Sequence, residues 1–235
     1  LVVAPIGVFA LVLPLAARLG ASVAGAIGYF LVVICGLLIA RIFLLFALVW
    51  LWGRVPLGTF ARACAPAQAV AMGTRSSLAS LPALLDSAKK LVLPADIIGL
   101  TLPLAVSVFK YASAVARFTG TLFVAKLYGI TLSGAELLAL APAFILLTFY
   151  SPGIPSGGLL VMAPVYMAVG LPLEGIGLLI ALDPIPDMFL TTSNVTADLT
   201  AATLLSRGSR TPVTARLRPL AQTEVPAESD IAVTG

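Results

Sequence analysis

Apolar residues run through this chain in long stretches, and the informative positions are the ones that interrupt them. A first run covers residues 1–19 and ends at Arg18-Leu19-Gly20. A second, 23–53, is long enough to cross a bilayer with tilt; Arg41 sits inside it and Arg54 closes it. Residues 58–93 behave differently. Their middle, MGTRSSLASLP, is small and polar, and each flank falls short of the roughly 20 residues a crossing needs. This predicts a re-entrant hairpin, with Arg54, Arg62, Lys89 and Lys90 together on one, cytoplasmic, side. A helix over 97–127 follows, interrupted near its middle by Phe109-Lys110-Tyr111-Ala112-Ser113. Residues 133–168 form a second two-armed segment around Ser151-Pro152-Gly153-Ile154-Pro155-Ser156-Gly157-Gly158, which cannot be continuous helix. A last helix, 176–206, is broken by Pro184 and Pro186.

The order hairpin, broken helix, hairpin, broken helix is a rough internal repeat, and its two units enter from opposite sides. Inverted repeats whose discontinuous helices meet near the midplane are the architecture of secondary transporters. The most concentrated polarity lies in Asp183–Asp198, DPIPDMFLTTSNVTAD. At about 100° per residue, Asp187, Asn194 and Asp198 fall within about 40° of one another, with Thr191 on the same face. Such a stripe at membrane depth is costly and is retained where it lines a site.

Composition narrows the class. At 60% hydrophobic and 10% charged, a chain of this length is an integral membrane protein, and its runs are too unbroken for alternating barrel strands. Cys35 and Cys64 give neither a disulfide framework nor a zinc spacing. There is no histidine, so proton coupling would need a carboxylate such as Asp183, Asp187 or Asp198. The net charge of +4 comes from basic loops and a basic tail, which marks a cytoplasmic membrane face rather than nucleic-acid binding. No nucleophile–base constellation appears, so an enzyme is not expected. Gly157-Gly158 is not followed by the lysine of a phosphate loop. Trp50 and Trp52 read as an aromatic belt, Arg41 as a residue facing a helix interface or snorkelling, and Arg117 and Lys126 as solvated or headgroup-facing.

Five segments, APIGVFAL (4–11), TRSSLASLP (74–82), LTLPLAVSV (100–108), SPGIPSGG (151–158) and DMFLTTSNVTADLTAA (187–202), resemble the glutamate-transporter homologues, the dicarboxylate/amino acid:cation symporters, in order and spacing. The resemblance covers the chain to about residue 207. It implies an all-α membrane fold with two re-entrant hairpins and two discontinuous helices. The chain would carry the fifth to eighth helices, beginning inside the fifth: a truncated scaffold helix (1–20), a transport domain (23–207) and a cytoplasmic, disordered tail (208–235). It also implies a homotrimer in the inner membrane, surrounded by lipid and carrying a small-molecule substrate by an elevator movement, with no nucleic-acid partner.

Carried over position by position, the resemblance puts the substrate's α-carboxylate at the first hairpin tip, Arg75, Ser76 and Ser77, with Leu78 where a third serine is usual. It gives the ammonium to Asp187 and a carboxylate to Asn194, beside Thr191. The lid is the second tip, including Ser151, Gly153, Ile154 and Pro155. Sodium falls to Asp198, with Asn194 nearby. Two departures stand out. Leu190 occupies the position of the arginine that clamps a side-chain carboxylate, which favours a neutral amino acid unless an arginine comes from elsewhere. Phe109, Lys110 and Tyr111 replace sodium-ligating residues, so sodium coupling is expected to be altered, with Lys110 pairing with Asp198 in place of a cation. An acidic amino acid or dicarboxylate symporter coupled to sodium or protons, a channel-like protein and a non-transporting paralogue remain the alternatives.

Overall fold

The computed structural model describes residues 21–150 and 155–208, and among these every regular element is helical. α1 (Ala21–Leu48) continues through a π turn, Val49–Gly53. α2 (Leu57–Thr74) and α3 (Ser77–Lys90) make a hairpin that turns at Arg75-Ser76. A second π turn, Ile97–Thr101, leads into α4 (Leu102–Val108), and after two non-helical residues α5 runs over Tyr111–Leu127. α6 (Gly134–Thr148) is answered by the short α7 (Gly157–Leu160) and α8 (Ala163–Ala168). α9 (Glu174–Leu182) and α10 (Pro184–Leu205) close the described chain, bent by 73° at Asp183.

Two continuous stretches, Ala24–Gly53 and Ile97–Leu127, are long and apolar enough to cross a membrane, and the bent pair α9–α10 makes a third if counted as one span. The arms α2 and α3, with 18 and 14 residues, reach about 27 and 21 Å, short of a hydrocarbon core of about 30 Å.

The local chemistry explains where the elements stop. Ser133 and Glu136 form a reciprocal capping box at the start of α6. Those same hydrogen bonds from Ser133 hold the exposed Glu136 carboxyl below its ordinary range. Pro184 is the first residue of α10, where its missing N–H costs nothing, so the chain bends there instead of continuing α9.

α10 sits at the centre. It packs against α1, both arms of the first hairpin, α4 and α5. Every residue from Thr191 to Thr200 is buried. One apolar cluster, with Phe60, Leu84, Leu102 and Leu199, fastens the first hairpin to its flank. A second, with Phe30, Phe144, Tyr166 and Leu179, joins α1 and α5 to the second hairpin.

α5 and α9 approach closely because both present glycine. A Cβ on Gly175 would lie 2.4 Å from Val124 Cγ1, and one on Gly120 would lie 3.0 Å from Leu179 Cδ1. Small residues permit such crossings in membranes, where lipid tails provide no hydrophobic drive for helix association. Val124 is buried and β-branched, so it has little freedom to withdraw. Gly175→Ala should therefore destabilise the fold by about 1–3 kcal/mol despite alanine's better helix propensity. Thermal unfolding in detergent should show a lowered midpoint; an unchanged or raised one would mean that the α5–α9 contact is looser than described.

Candidate functional site

The site is built on the buried stripe of α10. Its threonines are largely self-satisfied. Thr192, Thr196, Thr200 and Thr203 each return a hydroxyl proton to the carbonyl four residues back, at 2.7, 2.7, 2.8 and 2.7 Å. Gln68 of α2 donates to Thr196 Oγ1 at 2.9 Å, tying the first hairpin to this helix. Asp187, Asn194 and Asp198 cannot be satisfied within the helix, and all three are buried.

Asn194 faces the break between α4 and α5. Its Oδ1 accepts the backbone N–H of Ala112 at 3.0 Å, so it caps the start of α5 from another helix. The Lys110 ammonium turns back and donates to the Val106 carbonyl at the end of α4. The interrupted helix thus has both of its loose ends met by side chains.

Lys110 is buried, and it and Arg41 both attract Asp198 across space. The contact pair expected between Lys110 and Asp198 is not formed: among the described residues the ion pair within 4 Å is Lys89–Asp86, on the surface. Helix geometry explains this, because the lysine is engaged by the carbonyl that the break leaves unpaired. Arg41 donates to Ser193 Oγ and lies 5.2 Å from the centre of the Tyr111 ring, so it faces a helix interface. Phe109 and Tyr111 are more than a third exposed.

An open cleft lies between the two hairpin tips, α5 and the α9–α10 bend. Arg75 and Ser77 line it from the first tip, and Asp187, Leu190, Thr191 and Asn194 from α10. Ser76 stands behind this wall as the cap of α3, accepting Ala79 N–H at 3.2 Å. Pro155 is exposed and does not line the cleft. Ser151, Gly153 and Ile154 lie outside the described residues. Both tips turn through left-handed residues, Arg75 at φ 52° and Ser156 at φ 55°, conformations unusual for residues other than glycine.

Two cleft residues depart from the sequence reading. Asp183, for which the sequence suggests no partner, stands at the bend and lines the cleft with Asp187, both of them beside Ser156 of the second tip. Arg75 attracts both carboxylates. Arg117, expected at the headgroups, is only 2% exposed and borders the cleft; its Nε donates to the Gly158 carbonyl at 3.1 Å. A signal for this was present in the sequence: Ser113, Arg117 and Thr121 recur every four residues, a polar face on α5. Lys126 is exposed, as expected.

Among the described residues, Asp187 Oδ2, Asn194 Nδ2, both oxygens of Asp198 and both terminal nitrogens of Arg117 are buried without a hydrogen-bond partner. Buried polar groups are rarely left so. An unpaired carboxylate oxygen and an unpaired amide, two helical turns apart on one face of one cleft, offer places for an ammonium and for a carboxylate.

The model of the sodium:dicarboxylate symporter family matches residues 1–207. The chain belongs to that family. Among similar proteins are the human "Excitatory amino acid transporter 2", 30% identical over 129 residues, and the "Proton/sodium-glutamate symport protein" of Bacillus caldotenax, 28% identical over 138. The mouse "Neutral amino acid transporter B(0)" is 31% identical over 138 residues. These alignments cover 54%, 59% and 58% of this chain, but only 22%, 33% and 25% of the three relatives. Members of that family are transporters and not enzymes, and this chain spans a third or less of the length of these relatives.

The arrangement around Asp198 can be tested for stability. Lys110→Met removes an opposing charge and leaves the Val106 carbonyl uncapped, and should lower the unfolding midpoint. Adding Asp198→Asn should recover part of that loss, with a coupling of about 0.5–3 kcal/mol in a double-mutant cycle. Additive effects would show that the two charges do not support each other.

Proposed function

We propose that this chain forms the substrate-carrying part of a secondary active symporter for amino acids, with the solute held between the hairpin tips against α10. The observation that carries this is the pairing of an unsatisfied Asp187 oxygen with an unsatisfied Asn194 amide in one cleft. An α-amino acid presents an ammonium and a carboxylate that these two groups complement, and the first tip adds Arg75 and Ser77 to the cleft wall. Thr191, which donates to Asp187 Oδ1 at 3.5 Å, holds the carboxylate in orientation. The second tip is the lid, and Ser156, which lines the cleft beside Asp183 and Asp187, is its latch. Loading would replace those contacts with bonds to solute. The closed unit would then move as an elevator against scaffold helices, in an inner-membrane homotrimer with a cytoplasmic C-terminus, as the family resemblance suggests.

Coupling is proposed to be altered. Asp198 is the carboxylate available to a sodium ion as co-transported cargo, and the residues beside it at the helix break, Phe109 and Lys110, add no side-chain oxygen. Sodium prefers several oxygen ligands, as other hard cations do. Lys110 and Arg41 already place positive charge near Asp198.

Uptake into proteoliposomes carrying the full-length protein checks both statements. Asp187→Asn should weaken amino-acid transport about 30-fold or more, because the buried ammonium loses its counter-charge. Equal uptake by this variant would remove the proposed site. With sodium replaced by choline, a substantial share of the uptake should persist. Complete sodium dependence would show that Lys110 and Arg41 do not stand in for the ion.

A further inference from the structure

We propose that Arg117 is a specificity-determining residue of the cleft, binding a carboxylate on the substrate's side chain, so that the preferred solute is an acidic amino acid. This rests on the amino-acid reading of the cleft given above. Leu190 leaves α10 without a cation for such a group, and the α5 wall supplies one.

The guanidinium is held in a defined pose. Nε donates to the Gly158 carbonyl on the lid hairpin, which uses one edge of the fork. The other two nitrogens are buried and lack hydrogen-bond partners among the described residues. Arg117 makes no ion pair within 4 Å there, and no acidic group contributes to its electrostatic surroundings. Arginine is always charged, so it cannot relieve this burial by losing its proton. A buried unpaired charge is strongly disfavoured, and a planar pair of N–H donors matches a carboxylate.

The other cations of the cleft are already matched. Arg75 is attracted by Asp183 and Asp187. The Lys110 ammonium is given to Val106 and attracted by Asp198. That leaves Arg117 as the cation of the cleft wall with no acidic partner among the described residues. An acidic amino acid brings, besides the ammonium and carboxylate of its backbone, a second carboxylate that fits the open guanidinium fork. A neutral amino acid would leave Arg117 unmatched, and a dicarboxylate without an amine would leave Asp187 unmatched.

The test is binding and uptake of labelled L-aspartate, L-glutamate, L-asparagine, L-serine and succinate by the full-length protein in proteoliposomes, with Arg117→Gln and Arg117→Lys. The wild type should prefer aspartate or glutamate. In Arg117→Gln the preference for aspartate over asparagine should fall by about 100-fold. Arg117→Lys, which keeps the charge without the fork, should fall in between and covers the case in which the glutamine variant does not fold. Detectable asparagine binding by a variant verifies that its site is intact.

Three outcomes would overturn the proposal. One is a wild-type preference for serine or asparagine that is lost in Asp187→Asn, which keeps the amino-acid site and removes the acidic one. Another is an aspartate preference that Arg117→Gln leaves within about three-fold. The third is a preference for succinate, or no binding of any of the five solutes, which would remove the amino-acid reading itself.

Discussion

A helix buried on every side must find a partner for each polar group it carries, and α10 is such a helix. Ten consecutive residues, Thr191–Thr200, are buried. Four of its threonines solve the problem locally by returning their hydroxyls to carbonyls one turn back. The carboxylates and the asparagine cannot do so, and the surrounding elements are arranged around what they need. Unbroken helices would offer them nothing, because a continuous helix has already used its backbone groups. Interrupted helices expose free N–H and C=O groups. The two interruptions, at Phe109-Lys110 and at Asp183, lie against this stripe.

The two breaks are served differently. At the first, side chains cap the backbone: Asn194 takes the start of α5 and Lys110 the end of α4. At the second, no side chain caps the start of α10, and Ser156 of the second hairpin stands beside Asp183 and Asp187 instead. In the proposed transporter the groups of the first set stay in place when solute binds, and those of the second, on a hairpin tip, give way to it. On the proposed reading the first break is a fixed wall and the second a gate.

Much of this was legible in the sequence because prolines, glycines and charges inside apolar runs have few permitted explanations. Pro184 after Asp183 marks a helix start, and a 73° bend stands there. Phe109-Lys110 marks an interruption, and the helix is indeed broken there. The shared face of Asp187, Asn194 and Asp198 follows from helical arithmetic alone. The sequence could not show where the long cations reach. Lysine and arginine extend far enough to satisfy any of several neighbours. Lys110 chooses a carbonyl four residues back over a carboxylate from another helix, and Arg117 turns inward rather than to headgroups. Both outcomes depend on tertiary contacts. Asp183 was unreadable for the same reason, since Ser156 and Arg75, which line the cleft with it, come from the two hairpin tips.

Taken together, the charges divide the stripe into two halves with opposite needs. Around Asp198 two cations, Arg41 and Lys110, attend one carboxylate. That end already has positive charge in excess, which weakens its demand for a mobile cation. In the cleft, Arg75 attends two carboxylates, while Arg117 has no acidic partner among the described residues. That end keeps a cation in want of an anion. Substitution of a sodium-binding segment by Phe109-Lys110-Tyr111 and of a clamp by Leu190 would look, position by position, like decay. Taken as a charge distribution, the same changes put fixed positive charge at the α4–α5 break and on α5, where on the proposed reading one part substitutes for an ion and another receives a substrate carboxylate. Decay would leave Arg117 free to drift to solvent or lipid headgroups. Its anchoring to the lid at Gly158, with the fork left open, argues that the arginine has been moved rather than lost.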